Sequence, residues 1–116
     1  MGLFVRHVTF DCADPQRLAE FWRQVTSGTV DLDWGEFVTV RTPGLGVEHL
    51  AFGRVDRPTP GKNRLHVDLA TDDRPAEVAR LVALGATVVA EHEVPGLRWT
   101  VLADPEANQF CVAQDG

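Results

Sequence analysis

Apolar and polar residues alternate through residues 7–12, at the end of a first strand predicted over residues 3–11, so that Val8, Phe10 and Cys12 share one face and His7, Thr9 and Asp11 the other. A period of two is the mark of a half-buried strand. Residues 65–70 repeat the pattern, with Leu65, Val67 and Leu69 opposed to His66, Asp68 and Ala70. Each segment runs into a helix start. Asp14 precedes Pro15, and Asp72 or Asp73 precedes Pro75. A short polar side chain there accepts from an unpaired backbone N–H, and proline in the first turn gives up no hydrogen bond. Leu18, Phe21, Trp22 and Val25, at spacings of three and four, predict a core-facing helix over residues 15–26. Val78, Leu81 and Val82 predict an inward face on a second helix over about residues 75–84, with Gly28 and Gly85 as the stops.

Strands are predicted over residues 29–32, 36–41 and 47–55 after the first helix, and over 86–91, 97–103 and 109–113 after the second. Residues 56–63, DRPTPGKN, carry two prolines and a glycine with little apolar content, and read as a linker. The chain is thus a single domain, 1–116, of two β-α-β-β-β units: module one about 1–55, module two about 64–116. His66 follows His7 by 59 positions, and the helix-ending glycines are 57 apart. FVTVRTP and WTVLADP align at an offset of 62, with Pro43 and Pro105 coinciding. Carried forward without a gap, that offset pairs His49 with Cys111.

The fold class that follows is α+β: two βαβββ modules whose sheets form a cupped, half-barrel mixed sheet with the helices outside. If the two non-helix faces line one hollow, His7, His49, His66 and Cys111 converge in it. All four side chains can ligate a metal. Thr9, Asp68, Phe37, Thr39, Arg41, Trp99 and Val101 would surround them as a ligand pocket of polar groups on apolar walls.

Composition narrows the partners. With 44% hydrophobic and 24% charged residues, the 116-residue chain has the make-up of an ordinary globular domain. It contains no apolar run near the ~20 residues needed to span a bilayer. A net charge of −6 and a single lysine, Lys62, argue against a general nucleic-acid binder, and the expected partner is a small molecule. MGLFVRHVTF has no basic and apolar leader pattern, so a cytoplasmic location is expected, with both cysteines as free thiols. Cys12 falls on the packing face. No P-loop spacing and no nucleophile elbow is present.

In order along the chain, HVTFDCADPQRLAEFW, KNRLHVDLATDD, LGATVV and VLADPEANQFCV resemble the vicinal oxygen chelate superfamily. This group includes glyoxalase I, extradiol dioxygenases, fosfomycin-resistance transferases and bleomycin-resistance proteins, and the chain is most similar to its glyoxalase-like domains. The resemblance implies metal ligands on the first and last strands of each module, at His7, His49, His66 and Cys111. It also shows departures. Cys111 stands seven residues after Asp104, where family enzymes carry a glutamate; Ala107 replaces a usual glycine, and Gln109 a frequent glutamate.

Imidazole and thiolate suit Zn, Ni, Co or Fe. Such a site would hold vicinal oxygens and stabilise an enediolate, with Asp68 or Glu48 as catalytic proton carriers, in a lyase or isomerase. Two metal-free readings stand beside it: a drug- or metabolite-binding protein of the bleomycin-resistance kind, and an acid–base enzyme. Trp99 and Phe37 could stack on an aromatic or cationic ligand, and Arg41 could neutralise an acidic one. Trp22 belongs to the core, Trp34 to a turn and His92 to solvent. Many relatives dimerise, so a homodimer is the assembly the resemblance allows.

Overall fold

The computed structural model describes residues 6–60 and 66–115. The predicted strand start at residues 3–5, the linker end at 61–63 and the face assigned to Leu65 lie outside the described residues. The elements are β1 (His7–Cys12), α1 (Pro15–Thr26), β2 (Thr29–Asp33), β3 (Phe37–Arg41) and β4 (His49–Arg54), then β5 (Val67–Ala70), α2 (Arg74–Leu84), β6 (Thr87–Val94), β7 (Leu97–Ala103) and β8 (Gln109–Asp115). The protein is α+β, two βαβββ modules each with a four-stranded mixed sheet. The chain divides into two compact units, Met1–Pro58 and Thr59–Gly116.

In the first unit the strand order is β1-β4-β3-β2. β1 and β4 run parallel, and the other two pairings are antiparallel. Asp14 caps α1 by accepting from Arg17 N at 3.2 Å, and Pro15 opens the helix. Leu18, Phe21, Trp22 and Val25 are buried as their spacing predicts. Phe10 stacks on Phe52 at 5.2 Å and lies 5.2 Å from Trp22, so the core sits between α1 and one face of the sheet. That leaves the opposite face of β1, β3 and β4 for chemistry. The residue that turns left-handed at the end of α1 is Ser27, at φ 56°, and not Gly28. Gly28 is required for another reason: a Cβ there would lie 2.4 Å from the Arg41 carbonyl oxygen.

The second unit repeats the order as β5-β8-β7-β6, with β5 and β8 parallel. Asp73, rather than Asp72, caps α2 by accepting from Ala76 N at 3.1 Å. Leu81, Leu102, Phe110 and Val112 are buried. Val82 is 44% exposed, against the inward position its spacing predicts. The inward line of α2 runs through Val78 and Leu81, and Val82 is one residue, about 100° of helix, further round. β6 is also longer than predicted, because its pairing with β7 continues to Val94↔Leu97.

The hydrogen-bond register corrects the ungapped repeat. Arg41 pairs with His49, and Ala103 with Gln109. Thr39 pairs with Ala51, and Val101 with Cys111. Gln109 is therefore the counterpart of His49, and Ala51 that of Cys111. The cause is loop length: residues 42–48 join β3 to β4, whereas 104–108 join β7 to β8. The difference of two residues is even, so each side chain keeps its predicted face.

Both sheets carry a bulge at matching places. The β2–β3 register shifts between Val30 and Leu32, leaving Asp31 as the extra residue. The β6–β7 register shifts between Val88 and Ala90, leaving Val89.

Buried Asp104 organises the β7–β8 turn. Its Oδ1 accepts from the backbone N–H groups of Glu106 and Asn108 at 2.9 and 3.0 Å, and its carboxylate also takes the Asn108 side-chain amide. Ala107 is held there at φ 68°. Two outcomes follow in urea unfolding. Asp104→Ala is expected to lose about 2–3 kcal/mol, having stranded several donors, and Ala107→Gly to gain about 1 kcal/mol by relieving a left-handed alanine. Midpoints unchanged in both variants would refute this account of the turn.

Candidate functional site

On the open face of module one, His7 and His49 are direct register partners on the parallel strands β1 and β4. Their rings meet edge-on with centroids 5.8 Å apart, and His7 meets Phe37 of β3 in the same way at 6.0 Å. His49 is nearly buried, its side chain 12% exposed. Its Nε2 lies 2.7 Å from Asp31 Oδ2, reaching across β3 to the bulge of β2. Its Nδ1 faces Glu48 Oε1 at 3.7 Å, beyond hydrogen-bond reach. Arg41, the register partner of His49, is exposed, whereas Thr39 is buried beside Ala51. Thr9, exposed, is the β1 partner of Ala51.

On the corresponding face of module two, His66 stands just before β5, two residues from Asp68, so both side chains share one face. Asp68 is the register partner of Cys111 on β8. One donor atom from each of His66, Asp68 and Cys111 lies within 4.8 Å of the others. His66 Nε2 is 3.4 Å from Asp68 Oδ1. Cys111 is buried, with Val101 opposite it on β7 closing that side with an apolar wall. Ala70 and Ala113, the next residues on this face beyond Asp68 and Cys111, line a cleft of about 460 Å³ together with Thr71, Asp72 and Gln114.

The remaining predicted residues divide plainly. Trp99 lies on the face of Val101 but stacks on His92 of β6, ring centroids 5.0 Å apart at 25°. His92 is exposed as predicted, and the stacking partner is new. Trp34 is 74% exposed in its turn, and Trp22 is core. Sequence reasoning passed over Asp31. It is the one acidic residue inside the predicted strand 29–32, but the bulge that brings it to His49 leaves no mark in residue type.

Folds of this kind are known. The chain is 21% identical to a glyoxalase/bleomycin resistance protein/dioxygenase family enzyme from Burkholderia phytofirmans, covering 95% of this chain and 97% of that one with a TM-score of 0.77. It is 24% identical to a member of the same superfamily from Sphaerobacter thermophilus, covering 99% of both chains with a TM-score of 0.74. A lactoylglutathione lyase from Agrobacterium tumefaciens is 18% identical over 98% of this chain and 95% of that chain, with a TM-score of 0.69. At these identities the likeness establishes the fold, that of the glyoxalase/bleomycin resistance/dioxygenase superfamily. Within it, the glyoxalase-like domain family matches residues 7–113, and the chain belongs to that family. No curated protein matches the chain. No helix among the described residues is long and apolar enough to cross a membrane.

The His92–Trp99 stack is open to a direct check. In a Trp34→Phe background, which removes the most exposed indole, His92→Ala is expected to raise acrylamide quenching of the remaining tryptophan emission. An unchanged quenching constant would mean that His92 does not cover Trp99.

Proposed function

We propose that this protein is a small-molecule enzyme of the glyoxalase type, a lyase or isomerase, that works at the open face of module two with a divalent metal held by His66 and Cys111 beside Asp68. One observation carries the reading: an imidazole, a carboxylate and a thiol converge within 4.8 Å on two adjacent parallel strands. The donors fit Zn, Ni, Co or Fe, because nitrogen and sulfur ligands suit borderline divalent ions. The cysteine at the usual glutamate position favours the thiophilic end of that set. When bound, such an ion would polarise the oxygens of a substrate.

The chain's own residues supply the rest. Asp68, 68% exposed at its side chain, can reach a substrate and carry a proton. Val101, opposite Cys111 on β7, gives that side an apolar neighbour, and a cleft at Ala70 and Ala113 opens two residues further along the same two strands. A metal-free acid–base enzyme is the second reading, favoured by the 3.4 Å approach of His66 to Asp68, which already pairs the two groups without an ion.

Elemental analysis of protein purified without a histidine tag, before and after incubation with each ion, separates the readings. About one equivalent of metal is expected, lost in His66→Ala and weakened in Cys111→Ser. The cobalt form of the parent protein should show a thiolate-to-metal absorption band that Cys111→Ser abolishes. No retained metal with any ion would overturn the metal reading and leave the His66–Asp68 pair as a proton-transfer site.

A further inference from the structure

The side of the second sheet that packs on α2 carries charged groups that neither reading uses. Arg74, the residue after the Asp73 cap, opens α2, and its side chain is only 16% exposed. Both hydrogen bonds of its guanidinium leave from Nη1, to Thr100 Oγ1 at 2.8 Å and to Glu91 Oε1 at 3.3 Å. Nε is buried without a hydrogen-bond partner, and Nη2 has none among the described residues. Nε–H and the adjacent Nη2–H form the flat fork that takes a carboxylate through two parallel hydrogen bonds. A guanidinium keeps its charge across the working pH range, so a largely buried one with that fork unpaired is costly until something fills it.

The fork stands in a cleft. Glu91, Glu93 and Arg98 share the sheet face of buried Thr100, and with Arg74 and His92 they line a cleft of about 340 Å³. Arg98 Nε holds Glu93 Oε2 at 2.7 Å, whereas the Glu91 side chain is 65% exposed and meets Arg74 beyond the usual hydrogen-bond range. A second cleft, of about 350 Å³, shares Glu93 and Arg98 and adds Val94, Pro95, Gly96 and Leu97. The backbone donors at this helix start are already taken, Arg74 N by Gln114 Oε1 and Ala76 N by Asp73. Module one has no such arrangement. There Pro15 follows the capping Asp14, and Gln16 Nε2 ties the helix start to Asp33 and Gly35 of the β2–β3 turn. β6 has eight residues against five in β2, and the cleft lies along that extra length of hairpin.

We propose that this cleft, on the face of the second sheet opposite to that of Cys111, binds an α-amino acid with an apolar side chain. Charge selects the class. A simple anion drawn to Arg74 meets Glu91 and Glu93, and a simple cation drawn to the glutamates meets Arg74 and Arg98. A zwitterion satisfies both: its carboxylate enters the Nε–Nη2 fork of Arg74, and its ammonium group donates to Glu91 and Glu93. Arg74 and Glu91 are direct neighbours, which matches a ligand whose opposite charges are held on one carbon. A peptide C-terminus lacks that adjacent ammonium. Glu91 gives way readily, because its contact to Nη1 is long and most of its side chain is in solvent. The ligand's side chain lies toward Val94, Pro95 and Leu97 of the adjoining cleft.

The test uses the full chain in chelator, so that leucine cannot report through a metal held by His66 and Cys111. The arginine Nε–H signals of ¹⁵N-labelled protein are followed, that of Arg74 being assigned by its loss in Arg74→Lys. L-Leucine is expected to shift it. N-Acetyl-leucine, which lacks the ammonium, and isopentylamine, which lacks the carboxylate, are expected to bind about tenfold or more weakly, each having lost a charge-assisted contact. Arg74→Lys keeps the charge and removes the fork, and leucine affinity, read by calorimetry, should fall by a similar factor. Glu91→Gln, at an exposed side chain, should weaken leucine and narrow its lead over N-acetyl-leucine. That arm decides the matter where circular dichroism shows Arg74→Lys to be misfolded. No response to leucine, an equal response to N-acetyl-leucine, leucine binding unchanged in Glu91→Gln or in folded Arg74→Lys, or a larger shift with inorganic phosphate than with leucine would each overturn the proposal.

Discussion

Parallel pairing between the first and last strand of each module is the constraint on which both candidate sites depend. A parallel neighbour cannot be reached by a tight turn, so the chain must cross over through a helix and two more strands before it returns. That return sets His7 against His49 and Asp68 against Cys111, residues far apart in sequence. The ladder spaces their backbones; side-chain alternation then turns them to the face away from the helix. Chemistry and core are thus kept on opposite sides by one geometric rule.

The two copies use the rule unequally. In module one, α1 buries six residues against its sheet, and Phe10, Trp22 and Phe52 form a ring cluster beneath β1 and β4. In module two, Leu81 is the buried residue of α2. Polar contacts take a larger share there: Arg74, at the start of α2, bonds Thr100 Oγ1 at 2.8 Å and approaches Glu91 at 3.3 Å, while its backbone N–H meets Gln114 Oε1. A firmly backed sheet holds the His7–His49 pair, and a more lightly backed one holds the His66–Asp68–Cys111 group. Polar anchoring fixes direction well but contributes little apolar burial.

What could be read from residues alone follows from which features have a period. Strand alternation and helix spacing placed α1 to the residue, fixed the facing of every candidate ligand and identified the superfamily from ordered motifs. Features without a period were lost. The offset counted through residues 42–48 and 104–108 matched His49 to Cys111, because a two-residue difference in loop length leaves parity intact and so leaves no contradiction to notice. The bulge at Asp31 is a backbone event, and Val82 looked inward because a valine one step off the buried line still satisfies a rough apolar count. His49 illustrates the limit well: its face was legible, and its partner was not.

The β3–β4 and β7–β8 connections hold one more consequence. Each differs from the other by a step that slides the last strand along its neighbour without turning it over. The core-side positions are apolar before and after such a slide, Leu50 and Phe52 in one copy and Phe110 and Val112 in the other. Lengthening or shortening this connection in pairs therefore works like a vernier, bringing a different side chain opposite the first strand while the packing beneath stays in mesh. A fold with that adjustment can change its ligands by altering a surface loop.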